Sequence, residues 1–352
     1  MQLKKQEART IIRHNHMQIY VPKEERERHK AFFEIYEPYV YQGTLEENKS
    51  AAYKSKKLKL TCRFCKKKAP DTTFNQNTHL LSLLLGNKGY YSDDECDNCN
   101  ALFGKFEGDL GKYLGLARTL DDITSKNKAP KFESGNAHIG VEKYNNGVVA
   151  IKKKNLSTED FDFNKDTGAV NIKMETQAYT PANVYNAFLK MALSILPDID
   201  VADYEAAYKY LLDENHYGDL NGPRFIKITE SNILWKIPFA FIFQKKHIFS
   251  DNSSPRHVFC IYVRNYMFQI IFPMSRQDLK SNHEVISSLD APYILLDGKE
   301  LDDVIVGRYM DDLHSLEKYK RDTSIHMQLD QEALKNLVSY DPEKGFQKIK
   351  LI

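Results

Sequence analysis

The chain has 352 residues, and its 50 Lys and Arg residues against 48 Asp and Glu residues give a formal net charge of only +2. This length is sufficient for two or three domains with hydrophobic cores. The nearly balanced charge excludes a protein that binds polyanions over its whole surface, so contact with nucleic acid would have to come from a local basic segment. No apolar stretch approaches the length of a transmembrane helix, and MQLKKQEARTII lacks the apolar core of a signal peptide.

Residues 1–50 are charged, contain only short apolar groups and are predicted to form an N-terminal extension. Within it, residues 18–21 are typical of a short strand that ends at Pro22, and residues 23–36 are typical of a helix with an apolar C-terminal end. No residue type in this extension points to chemistry.

A basic segment follows, with nine Lys or Arg residues and no Asp or Glu between Lys49 and Lys68. Clustered cations attract phosphate backbones without regard to base sequence. On its own such a run is typical of a solvated, flexible linker, but it leads directly into the motif described next. The candidate nucleic-acid-binding residues are Lys54, Lys56, Lys57, Lys59, Lys66, Lys67 and Lys68.

Two Cys-x-x-Cys pairs, Cys62 with Cys65 and Cys96 with Cys99, follow each other about thirty residues apart. Two such turns can point four thiolates at one ion and complete the tetrahedral sulfur set that zinc prefers. A site closed by four cysteines has no open position, so we expect a structural zinc. Paired thiols beside the single Cys260 are typical of a reducing compartment, which favours a soluble cytoplasmic protein.

The segment between and around these pairs resembles an HNH endonuclease domain, the ββα-metal fold, in its cysteine-flanked version. The resemblance covers about fifty-five residues, from Leu60 to Leu114. It is closest to a bacterial subgroup with the pattern C-x-x-C…H-I-I-P-x-x-L-G-N…E-C-D-x-C-N-x-x-F-G-K. The matching groups are His79, Leu85-Gly86-Asn87, Glu95-Cys96-Asp97, Cys99-Asn100 and Phe103-Gly104-Lys105.

The resemblance implies hydrolysis of DNA, most simply double-stranded DNA, and a role in defence against foreign DNA. It assigns His79 as the general base, Asn100 as a ligand of a catalytic Mg²⁺ or Mn²⁺, and Asn87 as the residue that holds the His79 loop. A neutral His suits proton abstraction near pH 7, and hard cations take oxygen ligands. Glu107 follows Asn100 by seven positions on the predicted helix and is a further candidate ligand, although a solvated surface charge is an alternative.

The chain departs from the family at two positions near the base. Thr78 stands where many HNH enzymes have a metal-binding Asp, and Ser82 replaces a common Pro. A hydroxyl is a poor replacement for a carboxylate, so a zinc module that binds nucleic acid or a protein partner without cleavage is the alternative function.

The remaining chain is predicted to form an α+β domain of unknown function over residues 136–352, after a nuclease-like domain over 51–118 and a linker over 119–135. Strands are expected at 137–144, 148–152 and 169–176, as a β-meander with a turn at 145–147. Helices are expected from Thr180, as the N-cap, to Pro197 and over 202–212, 302–319 and 331–339.

Four further strands are expected in the same domain, at 225–229, 233–244, 257–263 and 266–273, and Arg264-Asn265 is predicted to turn the last two into a hairpin. Together these elements predict an antiparallel sheet with helices, the α+β class. This domain could set when or where the nuclease acts by binding a regulatory protein or a ligand, and self-association is compatible with that arrangement.

Overall fold

A computed structural model describes residues 9–14, 17–22, 25–43, 61–124, 130–144, 149–153, 161–164, 167–213, 224–247, 254–272, 275–280, 289–294, 306–328, 338–341 and 345–348. The chain divides into two compact units, each discontinuous in sequence. Unit 1 comprises Met1–Pro130 and Tyr179–Tyr319, and unit 2 comprises Lys131–Ala178 and Lys320–Ile352. Within the described ranges, no helix combines the length and the apolar character needed to cross a membrane.

Helices and antiparallel strands together give the α+β class expected from the sequence. The helices are α1 (Arg26–Ile35), α2 (Asp97–Leu120), α3 (Pro181–Ile195) and α4 (Glu205–Leu212). The strands are β1 (Arg9–His14), β2 (Met17–Pro22), β3 (Tyr36–Gln42), β4 (Phe132–Glu133), β5 (Ile139–Lys143), β6 (Val149–Lys153), β7 (Phe161–Asn164), β8 (Ala169–Glu175), β9 (Phe225–Lys245), β10 (His257–Ile271), β11 (Val306–Asp312), β12 (Asp322–Gln328), β13 (Val338–Asp341) and β14 (Gly345–Lys348).

Unit 1 is built on the long strand β9. Strand β10 pairs antiparallel with one edge of β9, while β3 and β11 pair with different stretches of it. Phe239, Phe241 and Phe243 belong to a core cluster with residues of α1, whereas Ala240 and Ile242 belong to a second cluster with α3. Successive side chains of a strand point to opposite faces, so this apolar run reflects a sheet that is buried on both sides.

Two predicted elements of this unit are wrong. Residues 257–271 form one strand and not a hairpin, because Arg264 adopts a left-handed conformation (φ 54°) and the extra length is absorbed as an irregularity in the pairing with β9. The expected helix at 302–319 contains β11 instead, whose pairing with β9 overrides a charged, helix-compatible composition. Of the expected helix at 331–339, residues 331–337 lie outside the described part and 338 onwards begins β13.

The segment with the paired cysteines shares its core with α3. One cluster of buried residues contains Cys62 and Cys96 together with Val184 and Phe188 of α3. The domains predicted at 51–118 and 136–352 therefore share a core. Helix α3 belongs to unit 1 with the cysteine segment, although residues 131–178, which lie between them in sequence, belong to unit 2.

Unit 2 contains three small antiparallel sheets among its described residues, with the strand orders β4-β5-β6, β12-β8-β7 and β13-β14. The β5–β6 hairpin was predicted, and its turn at 145–147 lies outside the described residues. The expected meander does not extend to β8, because β8 pairs with β7 and β12 in a separate sheet.

Candidate functional site

The four paired cysteines converge. The sulfur atoms of Cys62, Cys65, Cys96 and Cys99 all lie within 4.8 Å of one another, and the Cys62–Cys99 and Cys65–Cys96 pairs are each 3.7 Å apart. Four thiolates at about 2.3 Å from a zinc ion in tetrahedral geometry would be about 3.8 Å apart. The cluster could therefore hold a metal such as zinc.

Local backbone turns create this arrangement. Lys66 adopts a left-handed conformation (φ 62°), and its N–H donates to the Cys62 carbonyl at 3.0 Å, which closes the first turn. Cys96 is the N-cap of α2 and Cys99 lies in its first turn. The Arg63 N–H donates to the Asp94 carbonyl at 2.6 Å and so joins the two turns. The positive end of the α2 dipole favours thiolates at the second pair.

The thiols of the cluster change one another's pKa. The hydrogen bond that Cys62 shares with Cys99 lowers the pKa of Cys62 to about 5, against the opposing effect of burial. The same hydrogen bond and burial raise the pKa of Cys99. Burial also raises the pKa of Cys65 to about 11. Because a metal ion displaces such protons, binding at this cluster should release protons and weaken at acidic pH.

Arg63 anchors the first turn to the helical part of unit 1. Its guanidinium contacts Asp94 at 3.1 Å and Asp198 at 2.7 Å, and it also donates to the Leu196 carbonyl at 2.9 Å. The residue after it, Phe64, is buried 4.7 Å from the Phe103 ring of α2. The four-cysteine cluster is thus part of the packed core of unit 1.

His79 lies in a short antiparallel contact with Tyr91. Leu80 N–H donates to the Tyr90 carbonyl at 3.0 Å, and Ser92 N–H donates to the Thr78 carbonyl at 2.9 Å. The His79 ring lies 4.7 Å from the Tyr91 ring, and its Nδ1 atom is buried with no hydrogen-bond partner among the described residues. Burial, followed by the charge of Lys190, lowers the pKa of His79 to about 4, so the imidazole is neutral at pH 7.

Asn87 braces the loop that follows His79. Its side chain is fully buried, and its Nδ2 donates to the Leu81 carbonyl at 2.6 Å and the Tyr90 carbonyl at 3.0 Å. Its Oδ1 accepts from the backbone N–H groups of Gly89 at 3.0 Å and Tyr90 at 2.8 Å. All four contacts are to backbone atoms, so this amide stabilises the conformation of the loop.

Helix α3 holds the other side of the same loop. Lys190 Nζ donates to the His79 carbonyl at 2.6 Å and lies 2.9 Å from Glu95 Oε2, and both charged side chains are almost wholly buried. The next residue, Met191, accepts through its sulfur from the Ser82 N–H at 3.2 Å. Burial raises the pKa of Glu95 against the lowering effect of Lys190.

Asn100 projects from the first turn of α2 towards the chain that precedes His79. Its Nδ2 donates to Gln76 Oε1 at 2.5 Å, and Gln76 N–H in turn donates to Asp97 Oδ1 at 2.8 Å. Within the described ranges no hydrogen bond uses the Asn100 amide oxygen, which is the atom that a hard cation would bind.

The candidate ligands of a catalytic cation, Asn100 and Glu107, supply at most two side chains, so water and phosphate oxygens would have to complete its coordination. In the described part of the chain, the only group of three or more His, Cys, Asp or Glu side chains that could hold an ion is the four-cysteine cluster. Glu107 is half-buried on α2, and its charge contributes to the raised pKa of Glu95. Thr78 is fully buried, with its hydroxyl donating to the Ser92 carbonyl at 3.4 Å.

Asp109, two residues after Glu107 on α2, has a structural role. Its carboxylate accepts from the Thr180 N–H at 3.3 Å and from Asn183 Nδ2 at 2.8 Å at the start of α3, and it contacts Lys112 at 2.9 Å. Thr180 occupies the N-cap position of α3 but makes no side-chain capping bond, so Asp109 supplies the negative charge at this helix terminus instead.

The basic candidates are only partly described. Lys66, Lys67 and Lys68 are exposed, and Lys66 Nζ donates to the Arg63 carbonyl at 2.6 Å beside the Tyr208 ring. Lys54, Lys56, Lys57 and Lys59 lie outside the described residues.

Comparison of the chain with protein-family models, with curated proteins and with solved structures finds no match. The HNH resemblance therefore stands on the motif residues alone.

Sequence reasoning missed the roles of Lys190 and Glu95. The motif contains Glu95 without assigning it a role, and Lys190 lies inside an otherwise apolar helix. A lone Lys at a buried helical position is the signal that could have found the pair, because such a charge needs a buried partner.

Proposed function

We propose that this protein is a metal-dependent HNH-type endonuclease that hydrolyses phosphodiester bonds of DNA. The observation that carries the proposal is the spatial arrangement of the motif residues. His79 lies in an antiparallel contact with Tyr91, and the chain then enters helix α2, whose N-cap is Cys96 and whose first residues include Cys99 and Asn100. The motif residues reproduce the cysteine-flanked subgroup at the same positions.

In this proposal His79 takes a proton from the attacking water. Its lowered pKa keeps the imidazole neutral across the physiological range, as a base requires. Lys190, by donating to the His79 carbonyl, fixes the backbone from which the ring projects. Asn100 and Glu107 would hold the catalytic cation through oxygen atoms. A Mg²⁺ or Mn²⁺ ion held there would neutralise negative charge on the phosphate and the leaving oxygen.

The second candidate function is a zinc module that binds nucleic acid or a protein without cleaving it. Thr78 favours this alternative, because many HNH enzymes have a carboxylate at this position. In this chain the Thr78 hydroxyl is buried beside the contact between His79 and Tyr91. The exposed Lys66, Lys67 and Lys68 beside the metal cluster are compatible with both functions.

A role in defence against foreign DNA would require control of the nuclease. A cavity of about 270 Å³ in unit 1 is lined by Leu85, Gly86 and Tyr90 of the His79 loop and by Trp235 and Arg264 of the sheet. A small ligand in it would touch the loop that Asn87 braces, so ligand control of His79 is compatible with the fold.

The test is a plasmid cleavage assay with Mg²⁺ and with Mn²⁺ on preparations of equal zinc content. We expect the native protein to cleave and His79→Ala to be inactive, with His138→Ala, an exposed His of unit 2, as the matched control. Cleavage by His79→Ala at the native rate would remove His79 from the mechanism. Retained DNA binding without cleavage by any form, including in the presence of candidate ligands, would favour the zinc module.

A further inference from the structure

Arg118 is a buried cation for which the described part of the chain offers no counter-charge. It lies in the last turn of α2, after a kink at Gly115 (φ 44°, ψ −116°), and only 9% of its surface is exposed. The described residues offer its guanidinium no hydrogen bond and no ion pair, and its Nε atom is buried without a partner. Burial lowers the pKa of Arg118, and no acidic group opposes that effect. A charge held in this way costs stability until an anion meets it.

The guanidinium adjoins a face of α2 that is formed by three glycines. Gly104, Gly108 and Gly111 follow Asn100 at helical spacing along α2, so all four residues lie on one face. A methyl group added at Gly104 or Gly108 would meet nothing within 4 Å. One added at Gly111 would lie 3.3 Å from Arg118 Nη1 and 3.3 Å from Leu84 Cδ1. The face is therefore open at its start and has Arg118 at its end.

Glycine is a costly choice for these positions. In the middle of a helix it is less stable than alanine, and the exposed Gly104 and Gly108 gain no packing in return. Glycine does allow a second backbone to approach a helix closely. An extended polyanion fits both features, because it needs room along the face and a cation at its end.

We infer that the α2 face formed by Gly104, Gly108 and Gly111 binds the phosphate backbone of nucleic acid, with Arg118 contacting a phosphate group. The planar guanidinium can donate two parallel hydrogen bonds to phosphate oxygens. Gly111 follows Asn100 by eleven residues, about 16 Å along a helix, so this phosphate is not the one that is hydrolysed. The inference rests on the proposed function, since it names a contact to the same substrate.

The experiment measures binding of a duplex oligonucleotide, over a series of salt concentrations, to the full-length protein carrying His79→Ala so that hydrolysis does not interfere. In that background Arg118→Met should weaken binding about tenfold, as expected for loss of a charged hydrogen bond, and should reduce the salt slope by about 0.9. Lys209→Met, which removes an exposed cation of α4, is the charge-matched control and should leave the slope unchanged.

Thermal unfolding separates this site from a structural arginine. Removing an uncompensated buried cation should leave the melting temperature equal or higher, whereas removing a structural arginine would lower it. Inorganic phosphate should raise the melting temperature of the Arg118-containing protein and not that of Arg118→Met. Gly108→Ala should stabilise the helix and still weaken DNA binding, which tests the face without touching Arg118.

The outcomes distinguish the two proposals. Unchanged DNA affinity and salt slope in Arg118→Met and Gly108→Ala would overturn the inference, even where the plasmid assay shows cleavage. A response to inorganic phosphate without any change in DNA binding would assign Arg118 to a small anion and would also overturn it. Loss of slope in Arg118→Met together with no plasmid cleavage would support the phosphate site and remove the nuclease.

Discussion

Lys190 of helix α3 and Glu95, the residue before Cys96, form an ion pair of 2.9 Å in which neither side chain is more than 3% exposed. The same ammonium group donates to the His79 carbonyl at 2.6 Å. One side chain from residues 181–195 therefore stabilises both the second cysteine turn and the backbone of the candidate base.

This pair predicts a strong asymmetry between single and double substitutions. Lys190→Met should lower the free energy of unfolding by about 3–5 kcal/mol, because it leaves Glu95 buried without a counter-charge. Glu95→Gln combined with Lys190→Met should recover much of that loss. Denaturant titrations of the two proteins measure both effects, and equal loss in single and double variants would contradict a buried ion pair.

The zinc content of the protein should depend on the four clustered cysteines and not on the total number of cysteines. We expect about one zinc ion per chain in the native protein and almost none in Cys96→Ser, since three thiolates no longer complete the site. Cys260→Ser is the matched control, because Cys260 is fully buried in β10, outside the cluster. Metal analysis with thermal unfolding measures the effect, and full zinc retention by Cys96→Ser would contradict the assignment.

Substitutions of the two candidate asparagines should have different effects, one on stability and the other on cleavage. Asn87→Ala should lower the free energy of unfolding by about 2–4 kcal/mol, because it leaves several buried backbone groups without partners. Asn100→Ala loses a contact to Gln76 only and should change the unfolding free energy by about 1 kcal/mol or less while abolishing metal-dependent cleavage. Unfolding curves and plasmid cleavage separate the roles. Equal destabilisation by the two changes would contradict this division.

Buried histidines should make the fold sensitive to acid. Burial, with a smaller effect of Arg256, lowers the pKa of His257 from 6.5 to about 3, and burial lowers that of His29 to about 4. Between the pKa of each histidine in the folded chain and its value of 6.5 in the unfolded chain, the unfolded chain binds more protons. The free energy of unfolding therefore falls as the pH drops below 6.5. The loss per histidine is at most about 1.4 kcal/mol per pH unit.

His257→Gln tests this pH dependence and can keep a polar partner for the Tyr204 hydroxyl, which lies 2.7 Å from His257 Nδ1. Its unfolding free energy should decline less between pH 6.5 and pH 4.5 than that of the native protein. Urea titrations at several pH values measure the difference. Parallel curves for the two proteins would mean that other groups cause the acid sensitivity.

Local sequence patterns were sufficient to predict the metal-ligand spacing of the cysteines and the helices whose apolar periodicity lies within a short segment. The cysteine spacing predicted the four-sulfur cluster, and the apolar periodicity after Thr180 predicted α3. The sequence failed at Arg264 and at β11, where pairing with the long strand β9 decided the conformation. Neither the irregularity nor the partner strand is visible in a local window.

The sequence by itself determined which chemical groups the chain carries: paired thiols, a histidine between them, and asparagines at the positions that the HNH resemblance singles out. Only the tertiary structure decided which of these groups are free to act. All four hydrogen bonds of Asn87 go to backbone atoms, and Thr78 is buried. No described residue donates to the Asn100 amide oxygen, and Lys190 contacts His79 from over a hundred residues away. The physical reason is that a buried polar group must find its partner in three dimensions, wherever in the chain that partner lies.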